Sequence, residues 1–168
     1  EEHFLVGRMA GDVGILRRKD DNSCRDIKSI VNILMSRGFT NESLSDHGDC
    51  YSFYVNKPDY DDDFRWYLDD RSSWAIMYIN IIKREHSYCW TVEDSSGKKI
   101  DYYRYVYIEG SGNRGFMYLN FLHEYFKLFP EDIFKGEADY LYTKEDIDRI
   151  YEKEIWLENW YDLDPKTL

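Results

Sequence analysis

Residues 88–108 read Tyr88-Cys-Trp-Thr-Val-Glu-Asp-Ser-Ser-Gly-Lys-Lys-Ile-Asp-Tyr-Tyr-Arg-Tyr-Val-Tyr-Ile108. Tyr88, Trp90 and Val92 alternate with Cys89 and Thr91. After the turn signal Asp94-Ser-Ser-Gly97, Tyr103, Tyr105 and Tyr107 alternate with Arg104, Val106 and Ile108. A period of two marks strands, and so short a connection makes them antiparallel neighbours.

The same period continues upstream. Tyr51, Phe53 and Val55 alternate with Ser52 and Tyr54, and Trp74–Lys83, rich in Ile and aromatics, reads as a buried strand. Phe4–Met9 and Val13–Arg18 flank Ala10-Gly-Asp12 as a further hairpin. Between these, Ile27, Ile30, Val31, Leu34 and Met35 recur at helical spacing. Asn22 or Ser23 is placed to cap that helix, Ser23-x-x-Asp26 resembles a capping box, and Gly38 is the expected stop.

Downstream the period becomes helical. Phe116–Phe129 is apolar nearly all round except at Asn120, His123, Glu124 and Lys127, which predicts a largely buried helix ended by Pro130. Thr143 caps a helix to about Lys153, with Ile147, Ile150 and Tyr151 as its apolar stripe and Glu145/Arg149 as an i,i+4 pair. Ile155–Leu163 is an acidic, Trp-rich tail whose Trp156, Leu157 and Trp160 are expected to dock on the body. The expectation is one α+β domain over residues 1–168. It has a mainly antiparallel sheet of about five strands, packed by an N-terminal helix and two C-terminal helices.

Composition narrows the partners. The 33 acidic residues outnumber 22 basic ones for a net charge of -11, while 18% of the chain is aromatic. Nucleic acid and anionic membrane surfaces need clustered Lys and Arg, so neither is expected as a partner. Trp74–Ile82, the longest strongly apolar run, falls short of the ~20 residues a spanning helix needs. Glu1-Glu-His-Phe-Leu5 carries no signal-peptide pattern, and Cys24, Cys50 and Cys89 are an odd number. The reading is a reducing, cytoplasmic setting without a disulfide framework.

Four patterns invite a chemical reading. Gly110-Ser-Gly-Asn-Arg-Gly115 fits G-x-G-x-x-G between a strand and a helix. Gly110, Gly112, Arg114 and Gly115 are thus a candidate phosphate loop. The dinucleotide version also needs a parallel strand beyond the helix, and Pro130–Gly136 is not read as a buried strand, so a tight turn is preferred. His47-x-x-Cys50 and His86-x-x-Cys89 together offer four zinc ligands, against the plainer reading of small buried cysteines. Asp59, Asp61, Asp63 and Asp70 follow a calcium-loop register, but Phe64 stands where Gly is required. His123-Glu124-x-x-Lys127 begins like a zincin helix and has Lys in place of the second His. No catalytic constellation is assigned, and no cofactor or metal is expected.

Phe121-Leu-His-Glu-Tyr-Phe-Lys-Leu-Phe-Pro-Glu-Asp-Ile-Phe134, followed by Tyr140-Leu-Tyr-Thr-Lys-Glu-Asp-Ile147, resembles the helical C-terminal part of small bacterial immunity-type proteins. The resemblance covers about the last third of the chain and implies a cytoplasmic inhibitor of a cognate toxin. Charge leads to a compatible expectation. An acidic, aromatic-rich surface suits a basic protein, because charges speed encounter and aromatic anchors set affinity. The expected contacts are Asp61, Asp62, Asp63, Trp66, Tyr67, Asp69 and Asp70, with Glu158, Trp160, Asp162 and Asp164 as a second patch. The alternatives are a nucleotide- or phosphate-binding enzyme domain on the Gly110–Gly115 loop, or a zinc-stabilised interaction module.

Overall fold

A computed structural model describes residues 12–36, 40–56, 75–83, 89–112 and 114–168. Its elements run β1 (Asp12–Arg18), α1 (Ile27–Ser36), β2 (Thr40–Asp46), β3 (Cys50–Asn56), β4 (Ala75–Ile82), β5 (Cys89–Glu93) and β6 (Lys99–Gly112). They continue with α2 (Arg114–Leu128), β7 (Ile133–Lys135), β8 (Leu141–Tyr142) and α3 (Lys144–Tyr151). The architecture is α+β. The sheet has eight strands in the order β2-β3-β4-β6-β1-β7-β8, with β5 also on β6, and each pairing is antiparallel. The proposed partner strand for β1, Phe4–Met9, lies outside the described residues.

β6 is the spine of this sheet. One edge pairs with β1; the other pairs first with β5 and then with β4. Ile15 pairs with Val106 but Leu16 with Arg104, which leaves Tyr105 as an extra residue on β6. Strict alternation would send Tyr103 and Val106 to opposite faces. The bulge brings both to the helix side, where Tyr103, Tyr105, Val106 and Ile108 join the main core. There they meet Val13, Ile15, Phe53, Val55, Met77, Ile79 and Ile81 from the sheet, and Ile30, Leu34, Phe116 and Ile147 from the helices. Leu16, Tyr102 and Ile133 form a second, smaller cluster on the opposite face, flanked by Trp90, Val92, Ile100 and Leu141.

The helices follow their apolar patterns, with local differences. α2 is buried at every position from Gly115 to Leu122, as the near-continuous apolar run predicts. Asn120 is tolerated there because its Nδ2 donates to the Phe116 carbonyl at 2.9 Å. α1 starts later than the Ser23 cap implies: Asp26 accepts from the Lys28 backbone N–H at 3.0 Å, while Ser23 donates its own N–H to Asp21. Met35 is 56% exposed and falls off the α1 core stripe. α3 has the full Thr143/Asp146 capping box. Arg149 pairs with Asp146 at 3.0 Å rather than with Glu145, and its Nη2 and Nε also donate to the carbonyls of Pro165 (2.6 Å) and Leu168 (3.1 Å).

Three strands exceed the sequence reading. β2 is a polar edge strand. β7 is short and buried throughout, which corrects the reading of Pro130–Gly136 as no strand. With β8 it separates α2 from α3, so residues 121–147 are not continuously helical.

A buried polar network ties the loop before α1 to the end of α2. Arg25 grips Asp132 with both terminal nitrogens (2.5 and 2.8 Å) and reaches Asp21 at 2.6 Å. The Tyr125 hydroxyl donates to Asp132 at 2.8 Å. The guanidinium lies over the rings of Phe129 (4.2 Å) and Tyr105 (5.0 Å). Arg17 adds an ion pair to Asp21 at 3.1 Å and donates to the Ser23 carbonyl at 2.6 Å. Burial pushes the Asp132 carboxyl up, against the pull of Arg25 and Tyr125. Burial acts the same way on Asp21, but hydrogen bonds from Ser23 and the charges of Arg25 and Arg17 outweigh it, and this carboxyl is held well below the usual range.

Replacing Arg25 with Met leaves Asp132 buried without its cation. Urea unfolding should show a loss of about 3–5 kcal/mol, partly recovered by adding Asp132→Asn. The sign for Asp21 follows from its depressed folded-state pKa. Its stabilisation is present above the unfolded-state value of about 3.9 and is lost as pH falls below it. Between pH 5 and pH 2.5 the urea midpoint should therefore fall less in Asp21→Asn than in the parent chain.

Candidate binding surfaces

The sites expected from sequence separate in space. Asp61, Asp62, Asp63, Trp66, Tyr67, Asp69 and Asp70 lie outside the described residues, as does the rest of the Asp59–Asp70 calcium register. In the second patch, Glu158, Asp162 and Asp164 are half-buried and reach the surface. Trp160 does not. It is fully buried against Phe134 and Tyr142, and its indole donates to the Gly115 carbonyl at 2.7 Å. Its role is therefore to anchor the tail rather than to contact a partner. Trp156 docks too, donating to the Tyr151 carbonyl at 3.1 Å, whereas Leu157 stays exposed.

The tail is held along its length. The Tyr142 hydroxyl donates to the carbonyls of Trp160, at 3.0 Å, and Leu163. A Cβ on Gly115 would sit 1.8 Å from the Glu158 carbonyl oxygen, and one on Gly136 2.2 Å from that of Tyr161. Gly115 is thus required for close backbone packing. Gly110 and Gly112 belong to β6, in register with Met77 and Ala75 of β4. Arg114 opens α2. The glycine pattern is a strand end and a helix packed under the tail, not a free phosphate loop. The strand beyond α2 is β7, and it does not lie beside β6 as a dinucleotide fold requires: β1, antiparallel to both, stands between them.

The cysteine pattern is divided as well. Cys50 pairs with Ile82 and lies on the face of Ser52, away from the helices. Cys89 pairs with Tyr103, on the helix side, and is exposed. His47 is exposed, and His86 lies outside the described residues. Among the described residues no group of three or more His, Cys, Asp or Glu is arranged to hold a metal ion. His123 stacks on Tyr151 at 3.6 Å, and Lys127 pairs with Glu124 at 3.0 Å, which accounts for the zincin-like pattern.

Much of the positive charge is neutralised within the fold. Arg17 and Arg25 are engaged in the buried network. Lys135 pairs with Asp139 at 3.2 Å, Lys144 with Asp148 at 2.5 Å, and Lys83 with Asp46. Arg18 grips Asp20 at 2.8 Å through two nitrogens, in a cleft lined also by Lys98, Lys99 and Asp101. The Arg18 charge is thereby met by a carboxylate, with Glu131 a further 3.7 Å partner.

The face of the sheet opposite the helices carries a feature that the sequence reading missed. Tyr54 of β3, Tyr78 of β4 and Glu109 of β6 are cross-strand partners in one row. The two rings are 4.6 Å apart, Tyr54 is 47% exposed, and Glu109 is exposed and accepts the Tyr107 hydroxyl at 2.9 Å. Beside this row, Ser52 donates to Asn80 at 2.6 Å. Alternation along β3 and β4 put Tyr54 and Tyr78 opposite the core residues. Only the register across three strands brings Glu109 beside them.

No protein-family model, curated protein or solved structure matches this chain. Among the described residues no helix is long and apolar enough to cross a membrane.

The anchoring role of Trp160 separates from the exposed acid beside it. Trp160→Ala should cost about 3–5 kcal/mol in urea unfolding, and Glu158→Ser should stay within about 0.5 kcal/mol.

Proposed function

We propose that this chain is a non-enzymatic, cytoplasmic acidic protein that binds and blocks a basic protein partner, in the manner of an immunity protein acting on a toxin. The observation that carries the reading is the distribution of charge. The chain bears a net charge of -11, and many of its cations are paired internally. The excess carboxylates are left to dominate the field at the surface. Such a field draws in cationic proteins and repels nucleic acid and anionic lipid. The tail supports the same reading. Asp162 and Asp164 sit on backbone fixed by Trp160, Tyr142 and Arg149, so little entropy remains to be lost when they meet a partner. The resemblance over Phe121–Phe134 and Tyr140–Ile147 is consistent with this role.

The test uses the protein encoded beside this chain as the binding candidate. Stopped-flow association should give an on-rate that falls as salt rises. Changing Asp61, Asp62 and Asp63 to Ser should slow association at low salt and flatten its salt dependence. On-rates that ignore both changes would sink the electrostatic reading.

A further inference from the structure

We propose that the Tyr54–Tyr78–Glu109 row is a docking site for an arginine side chain of a basic protein partner. The inference rests on the acidic-binder reading and assigns it a surface and a chemistry.

The argument begins with how this fold holds its own cations. Arg25 is clasped by the rings of Phe129 and Tyr105 and by the carboxylate of Asp132. Lys83 lies 4.1 Å from the centre of the Tyr51 ring, with its ammonium on Asp46. In both cases the charged group itself lies over an aromatic face and pairs with a carboxylate at the same time. The Tyr54–Tyr78–Glu109 row brings the same parts, aromatic rings and a carboxylate, into one line across three strands. Tyr54 and Tyr78 offer two rings 4.6 Å apart, and Glu109 stands beside Tyr78 across the strand pair. The Tyr107 hydroxyl steadies Glu109 through one carboxylate oxygen, leaving further lone pairs for an incoming donor. Among the described residues no cation lies over Tyr54 or Tyr78. The nearby Arg104 sits over Tyr107 instead, 5.3 Å from its ring centre.

A planar guanidinium fits this row better than an ammonium, because it can stack on a ring while forking to a carboxylate in its own plane. The strand register fixes the order of the three residues before a partner arrives. Charge complementarity selects the occupant: the row offers a carboxylate and two π faces, and a basic partner supplies the cation.

The experiment is an NMR titration of the full chain at low salt with a tetra-arginine peptide as probe, observing backbone amides and aromatic side chains. Shifts should centre on Tyr54, Tyr78 and Glu109. Affinity should fall about threefold in Glu109→Gln and in Tyr78→Leu, and be retained in Tyr78→Phe. Should Tyr78→Leu lose the native spectrum, Tyr54→Leu takes its place. Shifts confined to residues 59–70 or 158–164, with the row unmoved, overturn this assignment and leave the acidic-binder reading standing. No saturable binding anywhere on the chain overturns both.

Discussion

Arg25 cannot be buried unless three distant parts of the chain are in place at once. It lies in the loop between β1 and α1. Its bidentate partner Asp132 is 107 positions away, after α2, and the ring of Tyr105 beneath it is the bulge residue of β6. Taking a guanidinium and a carboxylate out of water costs several kcal/mol for each ion, and only close geometry with full hydrogen bonding offsets it. The network therefore adds little net stability, but it penalises arrangements that leave either charge alone. The two carboxylates divide the task. Asp132 is held at the dry end, where burial resists its ionisation, and Asp21 at the wetter end, where several donors favour it. Tyr105, with the guanidinium groups of Arg25 and Arg17 at 5.0 and 5.2 Å from its ring centre, is still pushed up to about 12 by burial. That places the bulge of the central strand inside the locked region.

What the sequence made legible were the elements whose burial follows one rule over many residues. The Asp94–Gly97 turn and its two strands, the buried α2 and the Thr143 cap depend on neighbours within a few positions. β2 could not be read, because Thr40-Asn-Glu-Ser-Leu-Ser-Asp46 has no apolar alternation; its pairing with β3 alone defines it. β7 failed for the opposite reason. Its three residues are all buried, so period two never shows, and the strand exists because β1 has a free edge there. Register was likewise invisible. The bulge at Tyr105 moves Tyr103 to the helix side without a glycine or proline to announce it. The same limit hid the Tyr54–Tyr78–Glu109 row, whose members are far apart in the chain.

The aromatic content divides into two uses. Trp156, Trp160, Tyr118, Tyr125 and Tyr142 are core residues, and the polar tips of four of them serve inner hydrogen bonds. Trp160 shows why Trp in an acidic tail was a poor marker of a contact site. Its indole N–H needs an acceptor, and Gly115, lacking a side chain, allows the tail close enough to supply a backbone carbonyl. Tyr54 and Tyr78 are different. They stand on the sheet face that, among the described residues, no helix covers, and neither is part of the buried core.

This division changes what the charge of -11 can do. At physiological salt the Debye length is about 8 Å, so distant carboxylates guide an approaching cation but do not hold it. An exposed ion pair alone is worth about 1 kcal/mol or less. A cation that leaves the solvent partly, against a ring and beside a carboxylate, gains from both neighbours, as Arg25 does in the interior. For the partner proposed here, total charge would govern the rate of encounter. The few places where a carboxylate stands beside an uncovered ring would govern how long the encounter lasts.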